Sequence, residues 1–243
     1  MTNPWSATVL TLFPEMFPGP LGQSIIGKAL DKGLWSLKAV NIRDFATDKH
    51  QTVDDTCFGG GPGMVMRPDV LDKALHSVTD KGQARVINMS PRGKTFNQAL
   101  ARELAEETRP IVIINSRYEG IDQRALDEWD VEDISLGDFV MAGGELASMT
   151  MIEAIVRLLP GVLGDAESID EESFSTDLLE YSHYTKPREW QGHEVPEVLT
   201  TGHHANIQKW RQEMAEKITQ DRRPDLWQKY VSKEKDYESF TTV

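Results

Sequence analysis

One cysteine, Cys57, stands in a chain of 243 residues. No disulfide can form within such a chain, so its fold must rest on a packed core, and unpaired thiols are the rule in reducing compartments. No apolar run approaches the ~20 residues that a membrane-spanning helix requires. The opening Met1-Thr2-Asn3-Pro4-Trp5 lacks the basic and then apolar pattern of a secretory leader. Together these absences predict a cytoplasmic protein with no membrane partner. Basic residues are scarce too: 26 Lys and Arg against 39 Asp and Glu leave a net charge of −13. That argues against a uniformly basic nucleic-acid binder. A local basic patch stays open, because seven acids and no Lys or Arg fall within residues 165–180. The chain has no G-x-x-x-x-G-K-[ST] and no G-x-G-x-x-G between a strand and a helix, which sets aside Walker-type and dinucleotide sites. His183, His203 and His204 lack metal-ligand spacing, so no metal site is assigned.

What is present is glycine, concentrated in loops. Gly59, Gly60, Gly61 and Gly63 surround Pro62 in the run Cys57-Phe58-Gly59-Gly60-Gly61-Pro62-Gly63-Met64. Such a run makes neither helix nor strand, but it lets a ligand approach the backbone closely. Three further glycine-bearing turns follow apolar runs: Ser90-Pro91-Arg92-Gly93, Arg117-Tyr118-Glu119-Gly120, and the stretch from Gly137 through Gly143-Gly144-Glu145. Each alone could be a tight turn. Their joint placement after strands points to a ligand site on an α/β scaffold.

The periodicity predicts strands over residues 6–13, 35–42, 85–89, 110–115 and 131–136. It predicts helices over 20–30 and 68–78, one after a capping box at Thr95 and Gln98, and one from Glu145 to Leu159. A long polar loop is expected over 43–63. This β-α alternation implies a mostly parallel sheet with helices on both faces. Residues 1–162 are expected as an α/β domain and 163–176 as an acidic linker. Residues 177–243 are expected as a small helical domain, with helices over 206–219 and 224–231.

Single residues leave alternatives open. Arg157 could pair with Glu153 at i, i+4, or it could stabilise negative charge on a substrate. A linker carboxylate could be part of a solvated tether or a general base. The stripe Ile207, Trp210, Met214, Ile218 reads as core before it reads as a platform for RNA.

Taken in order, the motifs resemble the bacterial tRNA (guanine-N1)-methyltransferase family of the SPOUT class. The resemblance runs through Leu12-Phe13-Pro14-Glu15-Met16-Phe17, Thr52-Val53-Asp54-Asp55, the glycine run and Ser90-Pro91. It continues through Arg117-Tyr118-Glu119-Gly120-Ile121-Asp122, Gly143-Gly144-Glu145-Leu146 and Pro160-Gly161-Val162-Leu163-Gly164. It extends to His183-Tyr184-Thr185, Val195-Pro196, Trp210-Arg211 and Arg223-Pro224. It implies a trefoil-knotted fold, with the knot near residues 85–145, and a homodimer. It implies S-adenosyl-L-methionine held by Met89, Ser90, Pro91, Ser116, Arg117, Tyr118, Glu119, Gly120, Ser135, Leu136, Gly137, Phe139, Met141, Gly143 and Gly144. It implies a tRNA anticodon arm held by Asp54, Gly59, Gly60, Gly61, Pro62, His183, Trp210 and Arg211, with the target guanosine immediately 3′ of the anticodon.

The chemistry explains the remaining two roles that the resemblance implies. N1 of guanine carries a proton and cannot attack a methyl group well until a base removes it. Negative charge then spreads to O6, where a guanidinium stabilises it. The family pattern places these jobs on the carboxylate before Ser173-Phe174, here Glu172, and on Arg157. The family usually has Asp at the base position, so Asp170 is the fallback. A sulfonium methyl needs no metal to activate it, although the family is associated with Mg2+. Ser116 and Asp177 stand where the family commonly has glycine. The Glu172 substitution also motivates a competing reading, an RNA-binding member of the fold without turnover.

Overall fold

The computed structural model describes residues 4–164 and 172–241. The chain divides into two compact units, Met1–Gly164 and Asp165–Val243. The first is built on a five-stranded parallel sheet in the order β2-β1-β6-β5-β7. Its strands are β1 (Trp5–Thr11), β2 (Trp35–Asn41), β5 (Arg85–Thr95), β6 (Ile111–Ile114) and β7 (Glu132–Ser135). A two-stranded antiparallel ribbon, β3 (Asp54–Thr56) with β4 (Met64–Met66), brackets the glycine run.

Side-chain alternation explains how the sheet is covered. In β6, Ile111 and Ile113 face one side while Val112 and Ile114 face the other, and all four are buried. Two apolar layers result, as expected for a central parallel strand. The first layer joins Trp5, Ala7, Val9, Ile87 and Met89 to α1 (Ser24–Asp31), α3 (Gln98–Ala105) and α5 (Glu145–Val156). The second joins Leu10, Val86 and Ile114 to α2 (Pro68–His76) and α4 (Gln123–Glu128). Each fully buried Ile or Leu contributes roughly 2 kcal/mol. The indole N–H groups of Trp5 and Trp35 donate to the carbonyls of Leu104 and Ile26, at 2.9 and 3.1 Å, so these large rings are buried without an unmet donor.

Several boundaries differ from the sequence expectation. The helix predicted over 20–30 is a short 3-10 turn, Gly19–Gly22, followed by α1. The break falls at Ser24, whose φ is +55°. The strand predicted to end at Met89 extends to Thr95. Met89 and Lys94 both pair with Ile134, so the Ser90-Pro91-Arg92-Gly93 segment bulges out and the strand then rejoins β7. The capping residue of α3 is Asn97, whose Oδ1 accepts from the Leu100 N–H at 3.0 Å, while Thr95 closes the strand. The loop expected over 43–63 contains a 3-10 turn at Ile42–Phe45 and strand β3.

In the second unit, α6 (His204–Arg222) and α7 (Pro224–Thr241) pack on one another, with Pro224 opening α7. The helix predicted over 224–231 is therefore longer. Beyond Val231 the sequence is mostly polar, and only Tyr237 and Phe240, at helical spacing from Tyr230, mark the continuation. On α6, Ala215 and Thr219 are buried, and Ile207, Trp210, Met214 and Ile218 are half-buried beside them. A small hairpin, β8 (Glu189–Trp190) with β9 (His193–Glu194), turns through Gln191 and Gly192, both at positive φ.

Candidate active site

Strands β5, β6 and β7 run parallel, so their C-terminal ends share one edge of the sheet. The loops leaving those ends enclose a cavity, at the place where open α/β sheets take ligands. Around β5 stand Met89, Ser90 and Pro91. After β6 come Ser116, Arg117, Tyr118, Glu119 and Gly120. From β7 onward come Ser135, Leu136, Gly137, Phe139, Met141, Gly143 and Gly144. The structure thus brings together around one space the residues that the family resemblance assigns to the methyl donor. Asn88, Ile134 and Ala147 line it as well and were not singled out from sequence, and so does Arg92, which stood in the Ser90-Pro91-Arg92-Gly93 turn without a role of its own. Asn88 alone carried a signal, as a polar side chain inside an apolar strand.

The glycines allow this close approach. A Cβ on Gly143 would overlap the Arg117 side chain, and one on Gly144 would lie 2.9 Å from the Asn115 Cα. The Gly144 N–H donates to the Ser116 carbonyl at 3.2 Å, tying two of the loops together. Ser135 Oγ donates to the Gly137 carbonyl and accepts from the Gly137 N–H, both at 3.1 Å, and so folds the chain back at the end of β7. Tyr118 has a φ of +59°, an uncommon conformation for a large side chain and one that recurs at ligand sites. Asn88 is 2% exposed and donates to Asp133 Oδ1 at 2.7 Å, but its Oδ1 has no hydrogen-bond partner among the described residues. A buried unmet acceptor costs about 1–3 kcal/mol, and a ligand donor entering the cavity would answer it.

The run at residues 57–64 joins the same region. The Glu119 N–H donates to the Met64 carbonyl and the Met66 N–H to the Gly120 carbonyl, each at 2.9 Å. Gly63 has no room for a side chain because Glu119 lies against it. Gly59, Gly60, Gly61 and Pro62 are exposed, and the space beside the three glycines is open. Asp54 opens β3, opposite Met66. Arg157 follows the last residue of α5, and its N–H donates to the Glu153 carbonyl at 3.2 Å.

In the second unit, Glu172 lines a shallow cavity with Tyr181, Gln208, Arg211 and Gln212. The Arg211 guanidinium sits 4.8 Å from the centre of the Tyr181 ring, a cation–π contact. His183 Nε2 lies 2.9 Å from Glu180 Oε1, and Trp210 meets Tyr184 edge-on at 6.1 Å. The backbone around Glu172 is tightly turned. Its carbonyl accepts from the Ser175 N–H at 3.2 Å, and Phe174 and Asp177 both have positive φ. Asp177 pairs with Lys229 and Lys233 of α7, and hydrogen bonds from both ammonium groups hold its carboxyl below the usual carboxylate range. Asp170 lies outside the described residues. Among the described residues, no group of three or more His, Cys, Asp or Glu is placed to hold a metal ion, and no helix is long and apolar enough to cross a membrane.

Residues 6–229 match the family described as tRNA (Guanine-1)-methyltransferase TrmD. Among curated proteins, the chain is 58% identical over 226 residues to a tRNA (guanine-N(1)-)-methyltransferase of Rhodospirillum rubrum, covering 93% of this chain and 94% of the relative. It is 52% identical over 233 residues to the protein of that name from Zymomonas mobilis, covering 96% and 93%. It is 54% identical over 223 residues to the one from Mesorhizobium japonicum, covering 91% and 96%.

Proposed function

The chain belongs to the tRNA (guanine-1)-methyltransferase family, and from that premise we propose that it transfers a methyl group from S-adenosyl-L-methionine to N1 of the guanosine immediately 3′ of a tRNA anticodon. The observation that carries the reading is the convergence of three loops, distant in sequence, on one cavity at the C-terminal ends of β5, β6 and β7.

When bound, S-adenosyl-L-methionine supplies a methyl group made electrophilic by its sulfonium. The backbone around Met89, Ser90, Pro91, Ser116 and Gly120 offers hydrogen-bonding groups for the nucleoside part, and Leu136, Gly137, Phe139 and Met141 give it an apolar wall. Glu119 supplies a carboxylate acceptor for a ribose hydroxyl or an amino group. Glu172 removes the N1 proton as general base, and Arg157 faces the negative charge that develops on O6. The guanine must leave its stack to present N1. The exposed Gly59, Gly60, Gly61 and Pro62, with Asp54, offer a close surface for the displaced nucleotide. His183, Trp210 and Arg211 belong to the RNA-facing side of the second unit. The reading includes a homodimer, supported by the exposed apolar side chains of Phe139, Val140 and Leu146.

A transfer assay with tritiated donor tests the reading, using a tRNA transcript that carries the target guanosine beside one carrying adenosine there. The expected result is 1-methylguanosine in the first transcript and no label in the second. A protein that binds the transcript without transferring label would instead be a non-catalytic RNA-binding member of the fold.

A further inference from the structure

Glu145 is a buried carboxylate with no part in the chemistry above. It is the first residue of α5, directly after Gly144, and is 1% exposed. A carboxylate so placed gains from the helix N-terminus, but it needs specific partners to be tolerated out of water. It has two. Thr11 Oγ1, at the end of β1, donates to Glu145 Oε1 at 2.9 Å. Arg117 Nε donates to the same oxygen at 3.3 Å, and Arg117 Nη2 lies 2.9 Å from Oε2, as an ion-pair contact off the direction of a hydrogen bond. The third guanidinium nitrogen, Nη1, points elsewhere and donates to the Ala142 carbonyl at 3.2 Å. The guanidinium lies over the Phe13 ring, 4.5 Å from its centre, and the Phe13 N–H returns to Thr11 Oγ1 at 3.0 Å. One buried carboxylate therefore ties the end of β1, the loop after β6 and the loop after β7 into a single network.

We propose that Glu145 is a positioning residue: by fixing the Arg117 guanidinium against the Ala142 carbonyl, it holds the loop of residues 136–144 in the shape that takes the methyl donor. Neither Glu145 nor Thr11 lines the cavity, so any effect they have on the donor passes through Arg117 and that loop. Arginine is required in this arrangement. Its rigid fork meets the carboxylate with two nitrogens and the carbonyl with the third, which the single ammonium of lysine cannot do. The inference rests on the cavity being the donor site.

The test measures binding of S-adenosylhomocysteine by isothermal titration to the full-length protein and to Glu145→Gln, Thr11→Val, Arg117→Lys and the double variant Glu145→Gln/Arg117→Lys. Circular dichroism and unliganded melting confirm that each is folded. Coupling through such a network predicts that Glu145→Gln weakens binding by about tenfold. Thr11→Val, close in shape and without the donor, weakens it less. In steady-state transfer, KM for the donor rises while kcat stays near that of the unsubstituted protein. The double variant binds no worse than Arg117→Lys alone, because both changes break the same link. Equal affinity in folded Glu145→Gln and Thr11→Val overturns the inference, as do losses that multiply in the double variant. Should Glu145→Gln fail to fold, Thr11→Val decides on its own by the same criterion. Unsubstituted protein that binds no S-adenosylhomocysteine overturns the donor-site reading itself, and the inference with it.

Discussion

Glu172 carries the sharpest chemical consequence at the scale of single residues. Its carboxylate has one methylene more than the aspartate expected at this position, and the reach is set by a turn in which Phe174 and Asp177 adopt positive φ. Replacement by glutamine preserves the shape and removes the proposed base. Since general bases contribute about 10²- to 10⁴-fold, Glu172→Gln should lower single-turnover transfer by that factor while leaving S-adenosylhomocysteine affinity unchanged. Unaltered turnover would move the role to another carboxylate. The cavity-lining residues on the glycine turns were legible in the sequence as loop residues, because Arg117-Tyr118-Glu119-Gly120 and Gly143-Gly144 announce loops that follow strands. The supports of those loops were not. The hydroxyl of Thr11, the ring of Phe13 and the carboxylate of Glu145 meet only after β1, α5 and the loop behind β6 have packed together. A contact across 134 positions of sequence leaves no local pattern.

At the scale of elements, the chain after Met89 departs most from a simple strand. β5 leaves β7 at Met89 and rejoins it at Lys94, and Gly93 makes the return possible. A Cβ there would overlap the backbone of Asp133 and Ile134. Gly93→Ala should therefore cost about 1–3 kcal/mol as an overpacked contact, read as a lower denaturant midpoint with unchanged slope; equal stability would mean that the pairing can loosen. The sequence marked Ser90-Pro91-Arg92-Gly93 as a glycine-bearing turn after an apolar run, but nothing local to it says that the strand resumes. The turn from α3 to β6 offers a test by pH. A hydrogen bond from Arg109 is the main cause that lowers the Glu107 carboxyl from 4.5 to about 2. A carboxyl depressed in the folded state adds stability above its unfolded value, and that stability is lost as pH falls toward the folded value. Urea melts should show Glu107→Gln less stable than the unsubstituted protein at pH 7. The gap should close between about pH 4.5 and pH 2. A gap that persists unchanged at low pH would assign the effect to packing.

At the scale of the whole molecule, the acidity is unevenly spread. Seven of the 39 acids fall within residues 165–180, where no Lys or Arg stands, whereas residues 204–241 balance eight Lys and Arg against seven Asp and Glu, so α6 and α7 are close to neutral in an acidic chain. The α/β alternation and the layering of helices on a parallel sheet were readable from hydrophobic period alone, since β6 is a continuous apolar run and α1, α2 and α3 are amphipathic. Convergence of the glycine loops was readable only as an expectation. Its physical basis, parallel strands that end on one edge, belongs to the assembled sheet. The central claim is that this edge holds the methyl donor. A crystal structure of the protein with S-adenosylhomocysteine tests it most directly. The ligand should lie among Tyr118, Glu119, Leu136 and Gly143, its nucleoside against the loop backbones. An empty cavity there, with the ligand bound at another surface or absent at saturating concentration, would contradict the account.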